Sequence, residues 1–153
     1  MDSETSKKLV DSLDAFYEIE NISRAIMVCA DDDAAVKMSG ILRERDHAVT
    51  LIISDMAHDD RPLYGPFLND FSTGTSRLLV VSYQAWEALK DEIEVNVLPH
   101  QNLIIFCKMD DDIISYVTRQ LQDSIMRGFV NQDTVTHVLY LDVENEKENI
   151  EVN

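Results

Sequence analysis

Apolar residues in this chain follow two alternating patterns. Five short runs, at 25–29, 48–53, 77–82, 102–107 and 135–141, are rich in Val, Ile and Leu and are mostly continuous. Strands covered on both faces read this way, as in a parallel sheet flanked by helices. Between these runs the apolar spacing changes to three and four. Ala35, Met38, Ile41 and Leu42 mark a helix over 32–45, and Ile114, Val117, Leu121 and Ile125 mark another over 113–126. Leu9, Val10, Leu13, Phe16 and Tyr17 predict a first amphipathic helix over 6–19, with Ser3 or Ser6 as its cap. The stretch 61–71 is interrupted by Pro62, Gly65 and Pro66, and 91–101 reads as a loop with Pro99 ahead of the fourth strand.

Alternating strands and helices without long structureless connections imply right-handed crossovers. The expected fold is α/β: a three-layer α/β/α sandwich around a mostly parallel sheet of five or six strands. One domain over 6–143 accounts for these elements. From Glu144 onward the chain is polar and acidic, so 144–153 is expected to be a frayed tail. Ligands of such folds bind beyond the carboxyl ends of the strands. The positions to watch are therefore 30–33, 53–56, 82–84 and 108–112.

Charge narrows the functional classes. Thirteen basic residues stand against 29 acidic ones, a formal net charge of −16. Neutralising phosphates supplies most of a nucleic-acid binder's affinity, so this field opposes strong sequence-independent RNA binding, and no DNA binding is expected. No apolar run approaches the roughly 20 residues of a membrane span. Cys29 and Cys107 lie inside apolar runs and read as buried free thiols of a reducing compartment. A cytoplasmic or nuclear protein is the expectation.

The catalytic signals are sparse. With four glycines the chain has neither a G-x-x-x-x-G-K-[ST] phosphate loop nor a G-x-G-x-x-G turn. His47, His58, His100 and His137 are scattered singly without metal spacing. No cofactor or metal is expected. Asp31, Asp32 and Asp33 follow the first strand run, where carboxylates favour a helix N-terminus. An acidic group there, with Lys108 after a later strand, also fits a divergent phosphoacceptor receiver that binds Mg²⁺. Such a receiver needs an aspartate ending its third strand, and Val81-Ser82-Tyr83 supplies none.

Several segments come in one collinear order: the run 42–49 before the second strand, the turn Ser54-Asp55-Met56, Arg61, and Phe71-Ser72-Thr73-Gly74-Thr75-Ser76-Arg77 before the third strand. Over roughly 7–142 this order resembles the C-terminal RecA-like domain of DEAD-box RNA helicases. The resemblance matches Ser54-Asp55-Met56 to the family's Gly-Asp-Met segment, Arg61 to the arginine of Q-x-x-R, and Phe71 to Gly74 to Phe-x-x-Gly. Where the family turns a polar, basic loop toward RNA, this chain has Ala30-Asp31-Asp32-Asp33. The family's Thr-Thr-Asp and Ala-Arg-Gly fall on Val81-Ser82-Tyr83 and Trp86-Glu87-Ala88. Its His-Arg-x-Gly-Arg-x-x-Arg falls on 118–125, where only Arg119 is kept and the two later arginines are Gln122 and Ile125.

An arginine finger is worth about 10³–10⁵ in phosphoryl transfer. The resemblance therefore implies a catalytically inactive helicase-C-like module that mediates protein–protein association, including self-association, in an RNA-processing or ribonucleoprotein assembly. Degenerate modules of this kind also occur inside larger Tudor-domain helicase-like factors, of which the chain would be a fragment. Tyr83, Trp86, Leu121, Gln122 and Ile125 are the candidate association surface, although the helical spacing of Ala85, Ala88 and Leu89 also fits Trp86 as a packing residue, and Ile125 fits a core position equally. The alternative reading is a residual single-stranded RNA site built from Arg61, Thr73, Arg77, Ser82 and Arg119.

Overall fold

Strand β1 (Ala25–Cys29) is buried at every position. A strand of five apolar residues reaches that state only when helices cover both faces of its sheet. In the computed structural model, which describes residues 11, 24–54, 65–107, 111–133, 136–142 and 147–152, β1 lies between parallel neighbours β3 (Leu78–Ser82) and β4 (Leu103–Cys107). Beyond β3 lies β2 (Val49–Ile52), and beyond β4 lie β5 (His137–Asp142) and β6 (Lys147–Val152). The sheet order is β2-β3-β1-β4-β5-β6, with β6 antiparallel to β5 and every other pairing parallel.

Alternate residues of the central strands supply the two cores. Ala25, Met27 and Cys29 pack with Ala35, Met38, Ile41 and Leu42 of helix α1 (Asp32–Glu44). Ile26 and Val28 face the other side. Helices α2 (Gly65–Thr73), α3 (Tyr83–Ala88), α4 (Lys90–Asn96) and α5 (Asp111–Met126) cover that face through Leu68, Phe71, Trp86, Ile93, Val117 and Leu121. The result is an α/β arrangement compatible with three layers.

Local chemistry fixes the element ends. Asp31 caps α1 by accepting the Ala34 N–H at 2.8 Å, with Asp32 and Asp33 in the first turn. At the other end of α1, Arg45 pairs with Asp11. The edge of β2 is short, and Arg43 donates to its Val49 carbonyl at 3.3 Å. Arg24 closes α2 by donating to the Phe71 and Ser72 carbonyls at 3.2 and 2.9 Å. Gly74 follows at φ +89°, and a Cβ there would come within 2.9 Å of the Arg24 guanidinium. The Phe71 to Gly74 segment thus has a structural reason to end in glycine.

Two expectations fail here. The stretch 91–101 is not a loop: α4 and a 3-10 turn (Leu98–His100) occupy it. Leu89, Ile93 and Val97, spaced by four, are buried, and this burial outweighs the polar residues between them. Nor is the acidic segment 144–153 wholly a frayed tail, because its described residues, Lys147–Val152, form β6, with His137 opposite Val152 and Asp142 opposite Lys147. An antiparallel partner satisfies backbone groups that β5 would otherwise present as an open edge. The sheet therefore runs past the boundary expected at 143. The helix expected over 6–19 lies outside the described residues except at Asp11.

Candidate functional site

The chain leaves β1 toward α1 on one face, whereas β3 and β4 lead to α3 and α5 on the other. Their carboxyl ends diverge around Ala30, Ser82 and Cys107, which makes this the natural ligand crevice of the fold. Its polar groups hold local structure. The Gln84 amide donates to the Ala30 carbonyl at 3.1 Å, across the mouth. Ser82, fully buried, accepts the Ala85 N–H at 3.2 Å as the cap of α3. Asp32 accepts the Ser54 N–H at 3.0 Å and also the Ser54 hydroxyl. With Asp31 capping α1, two of the three successive aspartates have structural duties, while Asp33 is exposed. Among the described residues, no group of three or more His, Cys, Asp or Glu is placed to hold a metal ion. Lys108 lies outside the described residues.

Cys29 and Cys107 are register partners at the ends of β1 and β4, both buried and unoxidised. A hydrogen bond with Cys107 raises the Cys29 thiol well above its usual range, reinforced by burial and by nearby negative charge from Cys107 and Asp31. A protonated, enclosed thiol is a poor nucleophile. Its effect on stability has a definite sign. The unfolded chain loses this proton first, near about pH 8.5, so the contribution is complete below that value and declines as pH rises toward the folded pKa. Urea unfolding repeated between about pH 7 and about pH 10 should show an alkaline loss that is smaller in Cys29→Ala. Identical pH slopes in the two proteins would contradict this assignment.

The expected association surface is a packing seam. Trp86 is fully buried, and Leu121 belongs to the same core. Ile125 and Tyr83 are half-buried, Ile125 against that core and Tyr83 edge-on to Tyr116 at 5.8 Å. Only Gln122 is exposed. Helical spacing places Leu121 and Ile125 on the inward stripe of α5 with Val117, so apolar residues at these positions close the core instead of exposing a patch.

The RNA candidates do not converge. Thr73 and Arg77 lie before the start of β3, and Ser82 ends it, so the strand separates them by roughly 16 Å at 3.3 Å per residue. Thr73 bonds back to the Asn69 carbonyl at 2.9 Å, and the Ser82 hydroxyl is enclosed. Arg119 is exposed on α5, and Arg61 lies outside the described residues.

The structure also brings together a group that the sequence reading missed. A groove of about 410 Å³ runs between α4 and α5. Lys90, Asp91 and Glu94 form one bank, facing Tyr116, Arg119, Gln120, Asp123 and Arg127. Two polar clusters brace it. The Trp86 indole N–H donates to Gln120 Oε1 at 2.8 Å, and Gln120 Nε2 donates to the Lys90 carbonyl at 3.0 Å. Glu94, nearly buried, accepts the Ser124 hydroxyl at 2.6 Å and Arg127 Nη1 at 3.0 and 3.2 Å. Arg127 also reaches Asp123 at 3.4 Å and lies 5.0 Å over the Phe129 ring. Positions 116, 119, 120, 123 and 127 follow helical spacing and were legible as one stripe. The opposite bank is not legible in a stretch whose pattern over 91–101 reads as a loop.

No protein-family model matches the chain, and no curated protein matches its sequence. Among the described residues, no helix is long and apolar enough to cross a membrane.

Proposed function

We propose that this chain is a catalytically inactive helicase-C-like module, RecA-like in fold, that mediates protein–protein association within an RNA-processing or ribonucleoprotein assembly. One observation carries the reading. Where such folds hold their ligands, Asp31, Asp32, Ser82 and Gln84 are engaged in capping helices and tying neighbouring segments together. Carboxylates at that turn repel the phosphates that a helicase domain grips, and the net charge of −16 extends the repulsion over the molecule. The replacement of the family's later arginines by Gln122 and Ile125 agrees with this reading, since Ile125 completes a core. What remains is an α/β scaffold, the part such a module needs for association.

Sedimentation velocity of the purified chain over a wide concentration range, alone and with proteins recovered by crosslinking, tests the proposal. A reversible dimer or a stoichiometric complex with a crosslinked protein is the expected result. A strict monomer that forms no such complex would remove it.

A further inference from the structure

We infer that the end of the α4–α5 groove bounded by Lys90, Tyr116 and Arg119 is a binding subsite for a single oxyanion, a carboxylate or a phosphate. The groove has two unlike ends. At one, Arg127 is neutralised by Glu94 and Asp123 and lies over the Phe129 ring. At the other, Lys90 and Arg119 face the same cavity, and among the described residues neither side chain makes an ion pair or hydrogen bond. The remaining cations with described side chains are engaged. Arg24 binds carbonyls, Arg43 binds Val49, Arg45 binds Asp11, and Lys37 and Arg77 have partners of their own. Two unpaired cations in one groove are therefore unusual for a chain with 29 acidic residues.

The site is also held in place. Gln120 is fixed at both ends of its amide, by Trp86 of α3 and by the Lys90 carbonyl, so the two banks cannot drift apart at this point without breaking the Gln120–Lys90 bond. Tyr116 is held edge-on by Tyr83, and among the described residues its hydroxyl has no hydrogen-bond partner. An ammonium, a planar guanidinium and a phenol thus line one pocket, donor types that give charge-assisted hydrogen bonds to an oxyanion. Asp91 and Asp123 line the same groove. They would repel a run of phosphodiesters while leaving room for one compact anion, which separates this subsite from a nucleic-acid track. Because its ligand is a small anion, the subsite stands apart from the association proposed above.

The test is an amide-resolved NMR titration of the ¹⁵N-labelled full chain, at constant ionic strength, with sodium phosphate in one arm and N-acetylglutamate in the other. Saturable shifts centred on Lys90, Tyr116, Arg119 and Gln120 are expected. They should weaken about tenfold or more in Lys90→Gln and in Arg119→Gln, as expected for losing a charge-assisted bond. Arg43→Gln, on the opposite layer, should titrate like the unmodified chain. Saturation by phosphate alone assigns the site to a phosphoryl group, and saturation by N-acetylglutamate alone assigns it to a carboxylate. The inference is overturned if neither anion gives saturable shifts, or if both groove variants titrate normally. It is equally overturned if single-stranded oligouridylate binds the same residues more tightly than either anion.

Discussion

Replacing Trp86 with alanine should remove about 3–5 kcal/mol of folding stability, a large part of the roughly 5–15 kcal/mol a domain of this size possesses. The indole is fully buried in the core formed by the undersides of α2, α3, α4 and α5 against β1, β3 and β4. No flexible neighbour stands ready to fill the space it would leave, because Phe71, Phe106 and Ile93 around that core are themselves fully or almost fully enclosed. The substitution would also strip Gln120 of the donor it accepts at 2.8 Å, which loosens the link from α5 to the Lys90 carbonyl. Trp86→Phe separates the two effects. It keeps most of the buried area but leaves Gln120 without its donor, for an expected loss of about 1–2 kcal/mol. Urea unfolding followed by far-UV circular dichroism reads both changes. A Trp86→Ala protein within about 1 kcal/mol of the parent would show that the residue is a surface group after all.

The second result concerns neighbouring residues on α5. Ile125→Asp should destabilise the domain by about 2–5 kcal/mol, because it removes apolar contact with the core and places a charge against it. Met126→Asp, one residue along and 86% exposed, should change stability by no more than about 0.5 kcal/mol. If Ile125 served a docking surface, the other reading its position allows, Ile125→Asp would instead dissociate an assembly and leave the melting temperature unchanged. Thermal denaturation of the two variants beside sedimentation of each distinguishes packing from docking at this position.

The strands and the long helices were legible because their burial is continuous or strictly periodic. Ala25 to Cys29 coincides with β1, and the stripe Val117, Leu121 and Ile125 identifies α5. The short α4 has a weak sequence signature because only Leu89, Ile93 and Val97 mark the inward face of this stretch, among Asp91, Glu92, Glu94 and Asn96. The same acidity concealed β6, where composition suggested a solvated tail and backbone pairing with β5 prevailed. At the candidate site, spacing alone leaves Trp86 and Ile125 open between core and surface, and burial decides. Trp86 and Leu121 turn inward, whereas Ser82 and Asp32 serve backbone geometry. Sequence spacing cannot show that Gln84 reaches a carbonyl 54 residues earlier, or that Glu94 meets Ser124 and Arg127 across two helices. Such contacts depend on the strand order, which places β1 between β3 and β4.

The scaffold reading turns on whether the crevice beyond β1 and β3 retains any phosphate chemistry. Hydrolysis of Mg²⁺–ATP by the purified chain, followed with single-stranded RNA at saturating concentration and low salt, addresses that question. Phosphate release equal to the buffer blank, with and without RNA, is the predicted outcome. Turnover that rises with protein concentration and is stimulated by RNA would mean that the aspartates of the first turn and the buried Ser82 have been misread.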